Sequence, residues 1–202
     1  MATSPYLIAP GDAEIKVAQG GDYLHYHAWW DDDGNIWNTD GYTGTMAVKE
    51  STDDTVTLLS TADSPTTITL LTGVTGTEEA STTLASAAAA DDDTITVTSA
   101  TGIAVGQQVV LTLDSTATHA AKVTDVAGTT VTLGDPVPDA AASGNAVVSY
   151  SNATCLTVAI HDNGTATLPD GLRGVYDLWL RDTSGRDIPV SKDSFCVESR
   201  VS

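Results

Sequence analysis

Apolar and polar residues alternate with a period of two along most of this chain, and the three-and-four spacing of helices is almost absent. "AEIKVA" (13–18) alternates, and "DYLHYHAWW" (22–30) is an aromatic-rich run that ends in the turn cluster "DDDGN". "YTGTMAVKE" (42–50), "TVTLL" (55–59) and "TTITLLT" (66–72) follow, the last two parted by a turn at Ser64-Pro65. Late in the chain come "CLTVAIHD" (155–162), "TATLP" (165–169), "GVYDLWLRD" (174–182) and "DSFCVESRV" (193–201). Turns are expected between them at Asn163-Gly164, Asp170-Gly171 and Ser184-Gly185. Strands of this length and spacing predict an all-β antiparallel sandwich.

The middle of the chain has a different texture. From about Thr77 to Val148 it contains no Trp, Tyr or Phe and consists mostly of Ala, Thr, Val, Gly and Asp. Two strand–turn–strand patterns run through it, the second turning at Ala127-Gly128, and Leu111, Leu113, Val123, Val131 and Leu133 are positioned to fill a small barrel. The flanking halves are alike in style and incomplete alone. The expected organisation is therefore a discontinuous sandwich, residues 1–76 plus 149–202, with a small β-barrel domain, residues 77–148, inserted in one loop. Such an insertion costs little, because closure entropy grows slowly with loop length.

Charge narrows the function classes. The 202 residues carry 27 acids against eight bases, a formal net charge of −19. That surface repels phosphate backbones, so no nucleic-acid partner is expected. "MATSPYLIAP" has no basic n-region leading into an apolar core, and no apolar run approaches the roughly 20 residues that span a bilayer, so neither a signal peptide nor a membrane partner is expected. Cys155 and Cys196 form no CxxC motif and read as reduced thiols of a protein assembled in a cytoplasm.

The chemistry worth weighing is concentrated in "HYHAWWDDDGNIW" (25–37). His25 and His27 are two apart, hence on one face of a strand, and could hold a metal if a third ligand came from elsewhere. A metal-dependent hydrolase would be built on such a pair. The plainer alternative puts Tyr23, His25, His27 and Trp29 in one row and Leu24, Tyr26, Ala28 and Trp30 in the other, one row being core and the aspartates a solvated hairpin. No GxSxG, P-loop, HExxH or Cys/His/Asn set is present, so no catalytic residue and no cofactor is expected. Asp91 to Asp93 lack the spacing of a calcium loop. His161-Asp162 reads as a strand end entering the Asn163-Gly164 turn, and His119 as solvent-facing. The aromatic residues carry more information. Tyr26, Trp29, Trp30, Trp37 and Trp179 are the interface candidates, since one thin sandwich needs fewer large rings than the outer halves supply.

Two resemblances rest on these residues. "AWWDDDGNIWNTDGYTGTMAVKES", "GTATLPDGLRGVYDLWLRDTSGR" and "SFCVESRVS" resemble, in order, the immunoglobulin-like domain of tailed-phage structural proteins, including the N-terminal domains of baseplate and receptor-binding-protein adaptors. "TTLASAAAADDDTITVTSATGIAVGQQVVLTL" and "KVTDVAGTTVTLGDPVPDAAASGNAVV" resemble a small β module common in phage tail and fibre proteins. The resemblance implies an immunoglobulin-like fold and a non-enzymatic virion structural protein, an adaptor or assembly subunit of the tail, neck or baseplate. Its partners would be other virion proteins, including the major capsid protein, within a symmetric homo-oligomer assembled in the host cytoplasm. A capsid decoration protein (cement or head fibre) is the alternative, on a short, acidic chain with no adhesin segment. A carbohydrate-binding adhesive β module, with exposed Trp rings stacking on sugars, is the second.

Overall fold

A computed structural model describes residues 14–62 and 67–198. In chain order the strands are β1 (Ile15–Ala18), β2 (Tyr23–His27), β3 (Thr43–Lys49), β4 (Leu59–Ser60), β5 (Ile68–Thr83), β6 (Thr94–Thr96) and β7 (Gln108–Thr112). They continue with β8 (Thr118–Ala127), β9 (Thr130–Leu133), β10 (Ala146–Ile160), β11 (Arg173–Arg181) and β12 (Asp187–Glu198), and the single turn of helix α1 (Asp162–Thr165) precedes β11. The fold is an all-β sandwich of two sheets, one of them curled into a half-barrel.

The chain divides into two compact units. Among the described residues, the first comprises 14–26, 41–62, 67–72 and 156–198; the second comprises 27–40 and 73–155. Their limits differ from the expected ones in one important way: the segment His27–Asp40 belongs with the middle of the chain, not with the flanking halves. Trp29, Trp30 and Trp37 go with it, so the second unit is not the aromatic-free module that residues 77–148 alone suggest.

In the first unit, one sheet has the order β1-β12-β11-β3-β4. Its neighbours are antiparallel except β1 and β12, which pair in parallel through Ile15↔Phe195 and Val17↔Val197. Alternation along β11 decides what is inside: Tyr176, Leu178 and Leu180 are buried, whereas Trp179 and Arg181 face out. β2 and the first part of β5 pair with the last part of β10 in the other layer. The layers approach closely at Gly44, where a Cβ would lie 2.6 Å from Leu70 Cδ1, so the absent side chain makes room for the leucine.

Three expected elements take another form in this unit. "TVTLL" yields only the two-residue β4, its Val56 being 66% exposed. "TATLP" is no strand, and Asn163-Gly164 is no hairpin turn: residues 162–165 form α1, with the N–H of Thr165 donating to His161 O and that of Ala166 to Asp162 O. The Asp22 carboxylate accepts the Asp162 N–H at 2.8 Å and so satisfies a free helix-start donor. Gly164 lies where a Cβ would crowd Thr67 Cβ at 2.9 Å, so its role is close packing. The Ser64-Pro65 turn falls outside the described residues.

In the second unit, β10, β7, β8, β9 and β6 follow one another in the curled sheet. The end of β5 meets β6 through the Leu84↔Val97 bridge and the N–H of Thr98 donating to Thr83 O at 2.8 Å. The interior is small and aliphatic. Leu111, Leu113, Val123, Val131 and Leu133 all lie in it, with Leu84, Ile95, Val97, Val109, Val137 and Val147. His119 is buried here rather than solvent-facing, its Nε2 3.1 Å from Asp135 O, which removes it from the surface histidines.

Candidate functional site

Strand β2 and the hairpin after it were the only stretch dense in chemistry, and burial assigns each row of side chains. Leu24, Tyr26 and Trp30 are 54%, 56% and 51% exposed, whereas His27 and Trp29 are 3% and 7% exposed. Tyr23 and His25, on the inner row, are half-buried and stacked, with centroids 6.0 Å apart and planes 8° from parallel. His27 stacks on Trp29 at 5.3 Å, and Trp29 meets Trp37 at 5.6 Å in a tilted pair. The imidazoles thus serve as flat aromatic slabs. Burial lowers the pKa of His25, which keeps its ring neutral near pH 7. Among the described residues, no three His, Cys, Asp or Glu side chains converge.

The aspartates fold the turn. Asp31 Oδ1 accepts the N–H groups of Asp33 (3.0 Å) and Asn35 (2.8 Å), and Gly34 takes φ +82°. The Asp31 N–H in turn donates to Asn35 O, and that of Gly34 to Asp31 O. This is a three-residue hairpin loop closed by a left-handed glycine. What fastens it within the second unit is a pair of buried amides. Asn35, 4% exposed, accepts the Lys122 N–H at 2.9 Å through Oδ1 and donates to Asp31 Oδ2 at 2.9 Å through Nδ2. Gln108, 2% exposed, accepts the Ile36 N–H and donates to Gly34 O, both at 3.1 Å. Further along, Asn38 donates to Thr118 O at 2.7 Å, and Thr118 Oγ1 donates to Asp40 Oδ2 at 2.9 Å. Every polar atom of the two buried amides' contacts has a backbone or carboxylate partner, so burying them is tolerated.

The interface candidates therefore separate. Tyr26 and Trp30 are on the surface, and so is Trp179 at 43% exposed. Trp37 is half-buried against Trp29. Trp29 is core rather than surface, and its indole Nε1 has no hydrogen-bond partner among the described residues. Leu24, which the sequence placed only as a row-mate of Tyr26 and Trp30, joins the exposed group.

Neither cysteine is bonded. Burial pushes the Cys155 thiol up to about 12, and its Sγ–H donates to His27 O at 3.5 Å, so it is an inert packing group. Cys196 is half-exposed, with Sγ 3.2 Å from Glu14 Oε1; burial and then that carboxylate raise its pKa as well. Among the described residues, no helix is long and apolar enough to cross a membrane. Comparison with family models, with curated proteins and with solved structures finds no match to the chain.

Proposed function

We propose that the protein is a non-enzymatic structural subunit of a tailed-phage virion, assembling in the tail, neck or baseplate as an adaptor. The observation that carries this reading is the state of β2. It has β10 as its one strand neighbour among the described residues, and it holds Leu24 and Tyr26, each more than half exposed, on its outer row. Monomeric proteins blunt such edges with charge, proline or bulges, because an open edge with apolar side chains templates pairing with another chain. Here the edge is left apolar in a chain otherwise dominated by acids, as suits a strand that another subunit covers. The two phage-type sequence resemblances supply the setting.

The test is to quantify the protein in purified virions by mass spectrometry, beside a variant carrying Leu24→Asp and Tyr26→Asp. About a dozen copies or fewer per particle are expected, and hundreds would favour the capsid decoration alternative. The double variant should fold and stay soluble yet be missing from particles. Absence of the natural protein from virions would sink the proposal.

A further inference from the structure

We infer that the outer face of the five-stranded sheet around Trp179 is a binding site for a neutral pyranose sugar. On β11, Leu178 and Leu180 are 1% and 0% exposed, and the indole between them is 43% exposed on the opposite face. The indole lies on the solvent row, outside the core between the layers, and leaves a large apolar ring surface in water. The register places its neighbours. Trp179 is opposite Thr45 on β3 and Pro189 on β12, and Arg181 is opposite Thr43 and Asp187. A β-bulge interrupts the β11–β12 ladder at this point, between Leu178 and Trp179. Bulges re-aim side chains and recur beside functional sites. Thr43, Thr45, Trp179, Arg181 and Asp187 together line a shallow groove.

The lining has the chemistry of a sugar subsite. A pyranose ring presents an apolar face of C–H groups that stacks on an indole, and a rim of hydroxyls that need donors and acceptors at fixed positions. Arg181 and Asp187 provide both. The guanidinium bonds the carboxylate through Nε (2.7 Å) and Nη2 (3.0 Å), which orients the pair and leaves further N–H groups and carboxylate lone pairs for a vicinal diol. The threonine hydroxyls add donors that also accept. The charges of Arg181 and Asp187 cancel, and the chain's −19 opposes an anionic glycan, so the ligand class is neutral. None of this depends on the assembly role proposed above.

Saturation-transfer NMR on the intact protein, with lactose, maltose and cellobiose, tests it, and sialyllactose serves as the anionic comparator. At least one neutral sugar should bind saturably in the millimolar range or tighter, with sialyllactose no better. Trp179→Ala should weaken that binding by about tenfold or more, Trp179→Phe by less, and Tyr26→Ala should leave it unchanged. Because Trp179 is a surface residue, both variants should keep the natural melting temperature. No saturable neutral sugar, or equal binding by Trp179→Ala, would overturn the inference. So would a Trp179→Ala protein that stays folded and is excluded from virions while the natural chain binds no sugar, since the face would then be a protein interface.

Discussion

The Asp31–Asn35 and Asp182–Arg186 turns share one backbone and lead to different ends. In each, the first residue's N–H donates to the fifth residue's carbonyl (2.9 and 3.0 Å), and the glycine N–H donates to the aspartate carbonyl (3.0 and 2.9 Å). In each, the aspartate Oδ1 accepts the third and fifth amides, and the glycine is left-handed, φ +82° at Gly34 and +86° at Gly185. The fifth residue differs. Asn35 is buried and ties its hairpin to β8, whereas the Arg186 side chain is 61% exposed and, among the described residues, pairs with its own Asp182. Local chemistry makes a turn; one tertiary hydrogen-bonding partner decides whether that turn is a surface ornament or part of a core.

The sharpest break of this comparison is Asn35→Ala. It strands the Lys122 N–H inside the second unit and removes a support of Asp31, and should cost about 2–3 kcal/mol in urea unfolding followed by tryptophan fluorescence. Gly134→Ala attacks the same contact from the other side, because its Cβ would lie 2.8 Å from Asn35 Oδ1. It should destabilise by about 1–3 kcal/mol, and the double variant should lose less than the sum of the two. Additive losses would show that Asn35 and Gly134 act independently.

A smaller effect sharpens what the turns have in common. Replacing either left-handed glycine by alanine should cost about 1 kcal/mol. At Gly185 nothing lies within 4 Å of the added Cβ, so backbone strain acts alone. At Gly34 the added methyl meets Lys122 Nζ at 3.0 Å, the far end of a flexible side chain that can swing away. The two costs should therefore agree within about 0.5 kcal/mol by chemical denaturation. A much larger loss at Gly34 would mean that Lys122, the only base of the second unit against thirteen acids, is held in place by the acidic turn.

These residues also mark what was legible in the sequence. The period of two revealed β2 and both of its rows, and the glycines revealed both turns, because strand alternation and left-handed backbone are local properties. Which row of β2 is core was not legible, since each row mixes aromatic with apolar or polar groups. The home of the hairpin was not legible either. Adjacency to β2 pointed to the flanking halves, while the deciding bonds run from Asn35 to Lys122 and from Ile36 to Gln108, 87 and 72 residues apart. Asn163-Gly164 misled for a related reason. The dipeptide suits a hairpin, but the Thr67 carbonyl accepts the His161 N–H, and α1 forms where a second strand was expected. The interface candidates were found as aromatic residues in excess; only burial could remove Trp29 and admit Leu24.

The smallest expected effect concerns the exposed turn alone. Hydrogen bonds from Ser184, then the Arg186 backbone, lower the pKa of Asp182, and the Arg181 side chain does the same for Asp187. A folded-state pKa below the unfolded one means that both carboxylates stabilise the hairpin above the ordinary aspartate range, and that this contribution is lost as pH falls through the lowered folded-state values. Chemical shifts of Gly185 and Arg186 should then titrate below pH about 4, the ordinary range. Arg186→Ala should shift stability by less than about 0.5 kcal/mol, since an exposed ion pair is screened by water. If Arg186→Ala instead matched Asn35→Ala, exposure would not be what separates the two turns, and the difference would have to lie in the strands that each one joins.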